Sequence, residues 1–119
     1  MKKVELSQIV RRKLQLLRAH LTTEFDSKTS NETIKKITST ARSLGKFSEQ
    51  GISVSAMYGI DCDYRYIYVK HNYLFYRIEK DKIIVVEMFD DREDFMYKLF
   101  GISTTSQESI DYWGDEDEE

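Results

Sequence analysis

The chain has 119 residues, a length that suits one compact domain rather than two. Its 40% hydrophobic and 13% aromatic residues allow a sizeable core, and the lack of proline with only five glycines excludes a linker-like chain. No apolar run is long enough for a transmembrane helix or a signal peptide. Cys62 is the only cysteine, so no internal disulfide is possible. We therefore expect a cytoplasmic protein without membrane association.

The charges divide the chain into two parts. Residues 1–101 hold all 18 basic residues and 14 acidic ones, a net charge of +4, whereas residues 102–119 hold seven acidic residues and no basic one, a net charge of −7. We predict one domain over 1–101 and an acidic tail over 102–119. The tail either stays solvated and aids solubility or docks on a basic surface.

The N-terminal part of the chain predicts a strand followed by two helices. Residues 2–6 are short and half apolar, as in a strand, and Ser7 suits the N-cap of a helix. Apolar residues then recur every three or four positions over 9–25 and again over 34–44, which predicts two amphipathic helices. Thr29, with a glutamate three residues later, has capping-box spacing for the second helix. The helices should pack on a sheet as an antiparallel hairpin.

Three further strands are predicted in the C-terminal half. Residues 64–70 and 73–79 flank the dipeptide His71-Asn72, a candidate two-residue hairpin turn. Residues 82–89 read KIIVVEMF, and this nearly continuous apolar run predicts a central strand covered on both faces. A short helix should follow over about 90–100.

The predicted fold class is therefore α+β. It comprises an N-terminal strand, a two-helix antiparallel hairpin, a three-stranded antiparallel meander and a short C-terminal helix. We expect about four strands in a mainly antiparallel sheet, with the hairpin packed on it.

A set of residues in the predicted strands and in the last helix carries a family resemblance. They are Tyr64-Arg65, Val69, Asn72-Tyr73, Phe75 to Ile78, Ile83 to Val86, Arg92, Asp94-Phe95 and Leu99 to Gly101. With the order of elements, this pattern resembles the RelE/ParE superfamily of bacterial toxins over about residues 1–101. The resemblance implies the toxin of a type II toxin–antitoxin pair, with a cognate antitoxin protein as partner. Members act either as ribosome-dependent mRNA endonucleases or as inhibitors of DNA gyrase.

The resemblance also implies candidate catalytic residues. Metal-independent RNA cleavage needs a group that moves the 2′ proton, cations that stabilise the phosphate charge and an acid for the leaving oxygen. The resemblance gives Arg65, Arg92 and Tyr97 by position. The endonuclease hypothesis adds Arg77, and His71 from its place in the predicted turn, with the arginines on phosphate and His71 or Tyr97 moving protons. Two central positions, however, hold Ile67 and Leu74 where the nuclease members carry positive charge.

Three functions therefore stay open at this point. The first is a toxin that cleaves mRNA at the ribosome as a metal-independent endoribonuclease with a depleted catalytic set. The second is a ParE-like inhibitor of DNA gyrase without nuclease activity. The third is a non-toxic, protein-binding descendant of the fold. No glycine-rich phosphate loop and no metal-ligand spacing is present, so we predict no cofactor and no metal.

Strand alternation predicts two different sheet faces. With the turn at His71-Asn72, Val69 would pair with Leu74, and one face would be mostly apolar and form the core. The other face interleaves tyrosines with cations, a composition that suits either base stacking or burial under another element.

The tail adds Ile110, Tyr112 and Trp113 among its acids, and we hypothesise that it covers part of the functional groove.

Overall fold

The computed structural model describes residues 1–93 together with residues 98 and 101. Its elements in chain order are β1 (Lys3–Leu6), α1 (Gln8–Glu24), α2 (Ser27–Ser43), β2 (Ile52–Ser53), α3 (Val54–Tyr58), β3 (Tyr64–Val69), β4 (Asn72–Ile78) and β5 (Lys82–Asp90). The helix predicted after β5, the candidate Tyr97 and the acidic tail lie outside the described residues.

All five strands form one sheet in the order β1-β5-β4-β3-β2. β1 pairs with β5 in parallel, and the other neighbours pair antiparallel. β5 lies between β1 and β4, which confirms the central position that its apolar run predicted. The expectation of about four strands missed β2, a two-residue edge strand that pairs Ile52 with Tyr66.

The two long helices begin at different kinds of cap. Ser7 caps α1 as predicted, since its Oγ accepts a hydrogen bond from the Val10 amide at 3.1 Å. The prediction of Thr29 as the cap of α2 was wrong, because Asp26 takes that role and its carboxylate accepts the Thr29 amide at 2.7 Å. This hydrogen bond lowers the pKa of Asp26, since it stabilises the ionised carboxylate. The helix therefore starts two residues before Thr29.

The helical hairpin buries one face of the sheet. The main core combines the apolar stripes of both helices with inward residues of β3, β4 and β5: Val10, Leu14, Ile34, Ile37, Ala41, Leu44, Val69, Leu74, Tyr76, Ile83, Val85 and Met88. Buried Ser30 on α2 donates its hydroxyl to the Arg18 carbonyl on α1 at 3.0 Å, which joins the helices directly. The apolar periodicity is thus confirmed as core for Val10 and Leu14 of α1 and for the stripe of α2, whereas Phe25 at the end of the first pattern is 66% exposed.

The turn between β3 and β4 lies one residue earlier than predicted. Lys70 and His71 occupy it with φ of 50° and 65°, and Val69 pairs with Asn72. Positive φ at both central residues is the backbone of a type I′ turn, which matches the twist of a hairpin. Ile67, not Val69, therefore pairs with Leu74. The partner shifts by two residues, so every side chain keeps its predicted face.

The opposite sheet face holds a second, smaller core. Its buried members are Val54, Tyr66, Phe75 and Phe89. Their rings meet closely, with centroids 5.4 Å apart for Tyr66 and Phe75 and 5.8 Å apart for Phe75 and Phe89. Residues from the connection 54–62 cover this face. Most of the aromatic side chains are therefore taken up by packing rather than presented for base stacking.

A buried tyrosine braces the connection between α2 and β2. The Tyr76 hydroxyl donates to the Ser48 carbonyl at 2.7 Å and accepts from the Gly51 amide at 2.9 Å. Arg65 donates through Nη1 to the Gly51 carbonyl at 2.8 Å. A Cβ at Gly51 would lie 2.5 Å from the Tyr76 hydroxyl oxygen, so only glycine fits this approach.

Within the described residues, no helix is long and apolar enough to cross a membrane.

We expect Tyr76→Phe to lower the free energy of unfolding by about 1–3 kcal/mol, because it leaves a buried amide and a carbonyl without their partner. Urea unfolding followed by far-ultraviolet circular dichroism measures the loss. Tyr68→Phe is the matched control. Because Tyr68 is 52% exposed, this substitution should lower the free energy of unfolding less. Equal losses in the two variants would contradict a bracing role for Tyr76.

Candidate functional site

A groove of about 440 Å³ lies where the β3–β4 turn, the end of β5 and the helical hairpin meet. Its lining combines apolar residues of α1 with polar residues of the turn and of the end of β5: Leu17, His20, Leu21, Thr33, Lys70, His71, Asn72, Asp90, Asp91 and Arg92. Both histidines of the chain thus line one groove.

Backbone hydrogen bonds fix the turn against the end of β5. Asn72 pairs with Asp90 across β4 and β5, and the Asp91 amide donates to the His71 carbonyl at 2.9 Å. The buried Asn72 side chain donates to the Lys70 carbonyl at 2.7 Å, which holds the left-handed turn in place. The groove therefore rests on rigid strand ends rather than on a free loop.

Two side chains, Tyr68 and His71, share one carboxylate oxygen of Asp91 beside this turn. The Tyr68 hydroxyl donates to Asp91 Oδ2 at 2.6 Å, and His71 Nδ1 lies 3.1 Å from the same oxygen. The Tyr68 hydroxyl is also 3.3 Å from His71 Nδ1. When Nδ1 carries the proton and donates it to Asp91, Nε2 is left to accept a proton from a ligand. The His71 side chain is 82% exposed, so a ligand can reach it.

The hydrogen bonds of this cluster set its protonation. Hydrogen bonds from Tyr68 and His71 lower the pKa of Asp91, so the carboxylate is ionised at neutral pH. The hydrogen bond to Asp91 raises the pKa of Tyr68 to about 12. Tyr68 is therefore a proton donor to Asp91 at neutral pH and not a general base.

Arg92 is already paired with its neighbour. Its Nε lies 3.0 Å from Asp90 Oδ1 and its Nη2 3.3 Å from Asp90 Oδ2. This pair lowers the pKa of Asp90, because the guanidinium stabilises the ionised carboxylate. The Arg92 side chain is 86% exposed, so solvent screens the pair and a ligand anion can compete for it.

Of the four predicted site residues that the structure describes, His71 and Arg92 line one groove. Arg65 sits at the other end of β3, where it braces Gly51. Arg77 lies on the opposite sheet face and pairs with Glu79 at 2.8 Å. Tyr97 lies outside the described residues. The catalytic assignment of all five therefore stays a prediction.

Two apolar positions of neighbouring strands belong to the main core. Ile67 and Leu74 pair directly across β3 and β4, and Leu74 is 1% exposed. Ile67 packs against the same cluster. A charged side chain at either position would have to be desolvated under the helical hairpin.

Sequence reasoning missed two groove residues, Asp91 and His20, and Tyr68, which hydrogen-bonds to Asp91. Tyr68 belongs to the strand face that interleaves tyrosines with cations, and Asp91 lies at the start of the helix predicted over about 90–100. Their contact depends on the β3–β4–β5 register, which the strand pattern alone set wrongly by one residue at the turn. His20 is 51 positions from His71 in the chain, and only the packing of α1 brings it to the groove. Within the described ranges, no group of three or more His, Cys, Asp or Glu side chains is placed to hold a metal ion.

Comparison with known proteins identifies the fold. No protein-family model matches the sequence, and no curated protein matches it either. A chain from the chromosomal ParDE toxin–antitoxin system of P. aeruginosa matches the structure with a TM-score of 0.64 at 11% sequence identity. The match covers 76% of this chain and 96% of that chain. The chain therefore has a ParE-like α+β fold.

We expect Asp91→Asn to lower the pKa of Tyr68 from about 12 toward the ordinary value near 10. The hydrogen bond to Asp91 favours the protonated phenol, so its contribution to stability is present below pH 10 and is lost as the pH rises through about 12. Carbon-13 NMR of labelled tyrosine, with Tyr68→Phe for assignment, measures the titration. Asp81→Asn, in the exposed β4–β5 turn, is the control. An unchanged Tyr68 pKa in Asp91→Asn would contradict the cluster.

Proposed function

We propose that this chain is the toxin of a type II toxin–antitoxin pair and that it acts as a ParE-like inhibitor of DNA gyrase. The observation that carries the proposal is the fold match to a chain of a ParDE toxin–antitoxin system, with 96% of that chain covered. The sequence pattern over residues 64–101 supports the same class independently, because it was recognised from residue types alone. A cognate antitoxin is the proposed protein partner, and the proposed location is the cytoplasm.

The arrangement of cations favours gyrase over mRNA as the target. Nuclease chemistry needs several positive groups around one phosphate to stabilise the charge of the transition state. In this chain, Ile67 and Leu74 are apolar core residues and Arg65 is bonded to a backbone carbonyl. Of the arginines proposed for phosphate, only Arg92 lines the groove, and it is paired with Asp90. Inhibition of gyrase by binding requires no such catalytic set.

The groove nevertheless supports a second candidate, cleavage of mRNA at the ribosome. Here His71 Nε2 would accept the 2′ proton of the substrate, and Asp91 would hold the imidazole in the required orientation. Arg92 would exchange its pairing with Asp90 for a contact with the scissile phosphate. The candidate rests on the His71–Asp91 distance of 3.1 Å and on the exposure of both His71 and Arg92.

We expect expression of the chain in a bacterium without its antitoxin to arrest growth, because either toxic action stops an essential process. Colony counts after induction measure the arrest. Co-expression of the small protein encoded in the neighbouring reading frame should restore growth, since antitoxins neutralise their toxins by binding. Normal growth with the folded protein at high level in the cells would contradict the toxin class and favour a non-toxic binding protein.

Two substitutions distinguish the modes of action. We expect His71→Ala and Arg92→Gln to leave the arrest unchanged, because gyrase inhibition does not use the groove for proton transfer. Primer extension on cellular mRNA should show no ribosome-dependent cuts, while the DNA-damage response should be induced. Lys80→Gln, an exposed cation outside the groove, is the matched control. Ribosomal cuts that disappear in both groove variants but persist in the control would establish the nuclease instead.

A further inference from the structure

We propose that the acidic tail of residues 102–119 docks on a cationic seam between α1 and α2 of the same chain. The cationic seam consists of five exposed residues in two rows, Arg11 and Arg18 on α1 and Lys28, Lys35 and Arg42 on α2. This docking does not depend on the toxin function, because it follows from the surface charge of the hairpin and from the composition of the tail.

The spacing of the five cations places each row on one side of its helix. Arg11 and Arg18 are seven residues apart, and so are Lys28, Lys35 and Arg42 in turn. Seven residues make nearly two helical turns, so members of a row project in the same direction about 10.5 Å apart along the axis. The rows lie away from the apolar stripes that bury both helices on the sheet.

Contacts between the helices show that the two rows adjoin. Arg18 donates through Nη1 to Asn31 Oδ1 at 2.6 Å. Asn31 lies three residues after Lys28 and four before Lys35, so it belongs to the same side of α2 as that row. The antiparallel course of the hairpin then brings Arg11 toward the C-terminal half of α2, which carries Arg42. The five cations thus border one continuous surface.

This surface carries charge that the described part of the chain does not neutralise. Residues 8–46 contain nine basic and three acidic residues, a net charge of +6. None of the five seam cations forms an ion pair with an acidic side chain among the described residues. Lys13, on another side of α1, does pair with Glu87 at 2.8 Å. A row of unpaired cations attracts a polyanion.

The tail has the composition and the length to be that polyanion. It carries seven acidic residues, five of them consecutive over 115–119. An extended chain of 18 residues reaches at most about 60 Å, whereas a 17-residue helix is only about 25 Å long, so the tail can follow the entire seam.

Covalent attachment favours binding of the tail to the cationic seam over binding of a free polyanion. A nucleic-acid backbone offers the same kind of negative charge, but it must bind from solution. The tethered tail meets the seam at an effective concentration on the order of millimolar. The docked tail would therefore keep the seam from binding nucleic acid nonspecifically, and its release would expose the seam.

Trp113 reports the position of the tail, because it is the only tryptophan of the chain. We expect acrylamide to quench its fluorescence weakly in the full-length protein at low salt. Quenching should be strong at about 1 M salt, where the Debye length is only 3 Å. The double variant Lys35→Gln, Arg42→Gln loses two seam charges. It should raise the constant for acrylamide quenching of Trp113 at low salt roughly threefold. Lys3→Gln with Lys80→Gln removes the same charge outside the seam and should leave quenching unchanged.

Other outcomes of these measurements overturn the proposal. Quenching that is high at every salt concentration would show a solvated tail, and protection that survives the seam variant would place the tail elsewhere. Protection that grows with protein concentration would show docking between chains rather than within one.

A labelled single-stranded oligouridylate supplies a second test. Replacing the acids at 115–117 by amides should tighten its binding at least threefold. Equal binding with and without those acids would make the seam an open nucleic-acid surface.

Discussion

The burial of one sheet face under the helical hairpin is the constraint on which the rest of the structure depends. Leu74, Tyr76 and Val85 are at most 1% exposed on that face, and both helices present their apolar stripes to it. The same packing keeps β5 between β1 and β4 and places the Tyr76 hydroxyl where it braces residues 48–51. It also assigns Ile67 and Leu74 to the core, where a charged side chain would have to be desolvated.

The polar chemistry is consequently displaced to the rim of the sheet. There the β3–β4 turn meets the end of β5, and one carboxylate, Asp91, accepts from Tyr68 and faces His71. The strand ends around this cluster are joined by backbone hydrogen bonds, so its geometry is preorganised. A rim of this kind suits binding, and Arg92 is the only one of the arginines proposed for phosphate that lines it among the described residues.

The sequence predicted those features that depend on local pattern. The apolar run of β5 indicated a central strand, and the three- to four-residue spacing indicated both helices, because buried stripes impose those periods. The cap of α2 was misassigned, since Asp26 and Thr29 are both good cap residues and the pattern does not choose between them. The candidate site was harder to predict from the sequence. Strand register joins Tyr68 to Asp91, and helix packing brings His20 to the groove that Asp91 lines; no local signal in the sequence encodes either.

We propose that the chain inhibits DNA gyrase by binding, without nuclease chemistry. The most direct measurement is DNA supercoiling by purified gyrase in the presence of the purified full-length chain. We expect supercoiling of relaxed plasmid to fall as the chain is added, with cleaved plasmid accumulating, and the same result with His71→Ala, because the groove is not used for proton transfer. Unimpaired supercoiling at an excess of folded chain, together with cutting of ribosome-bound mRNA by the same preparation, would contradict the claim.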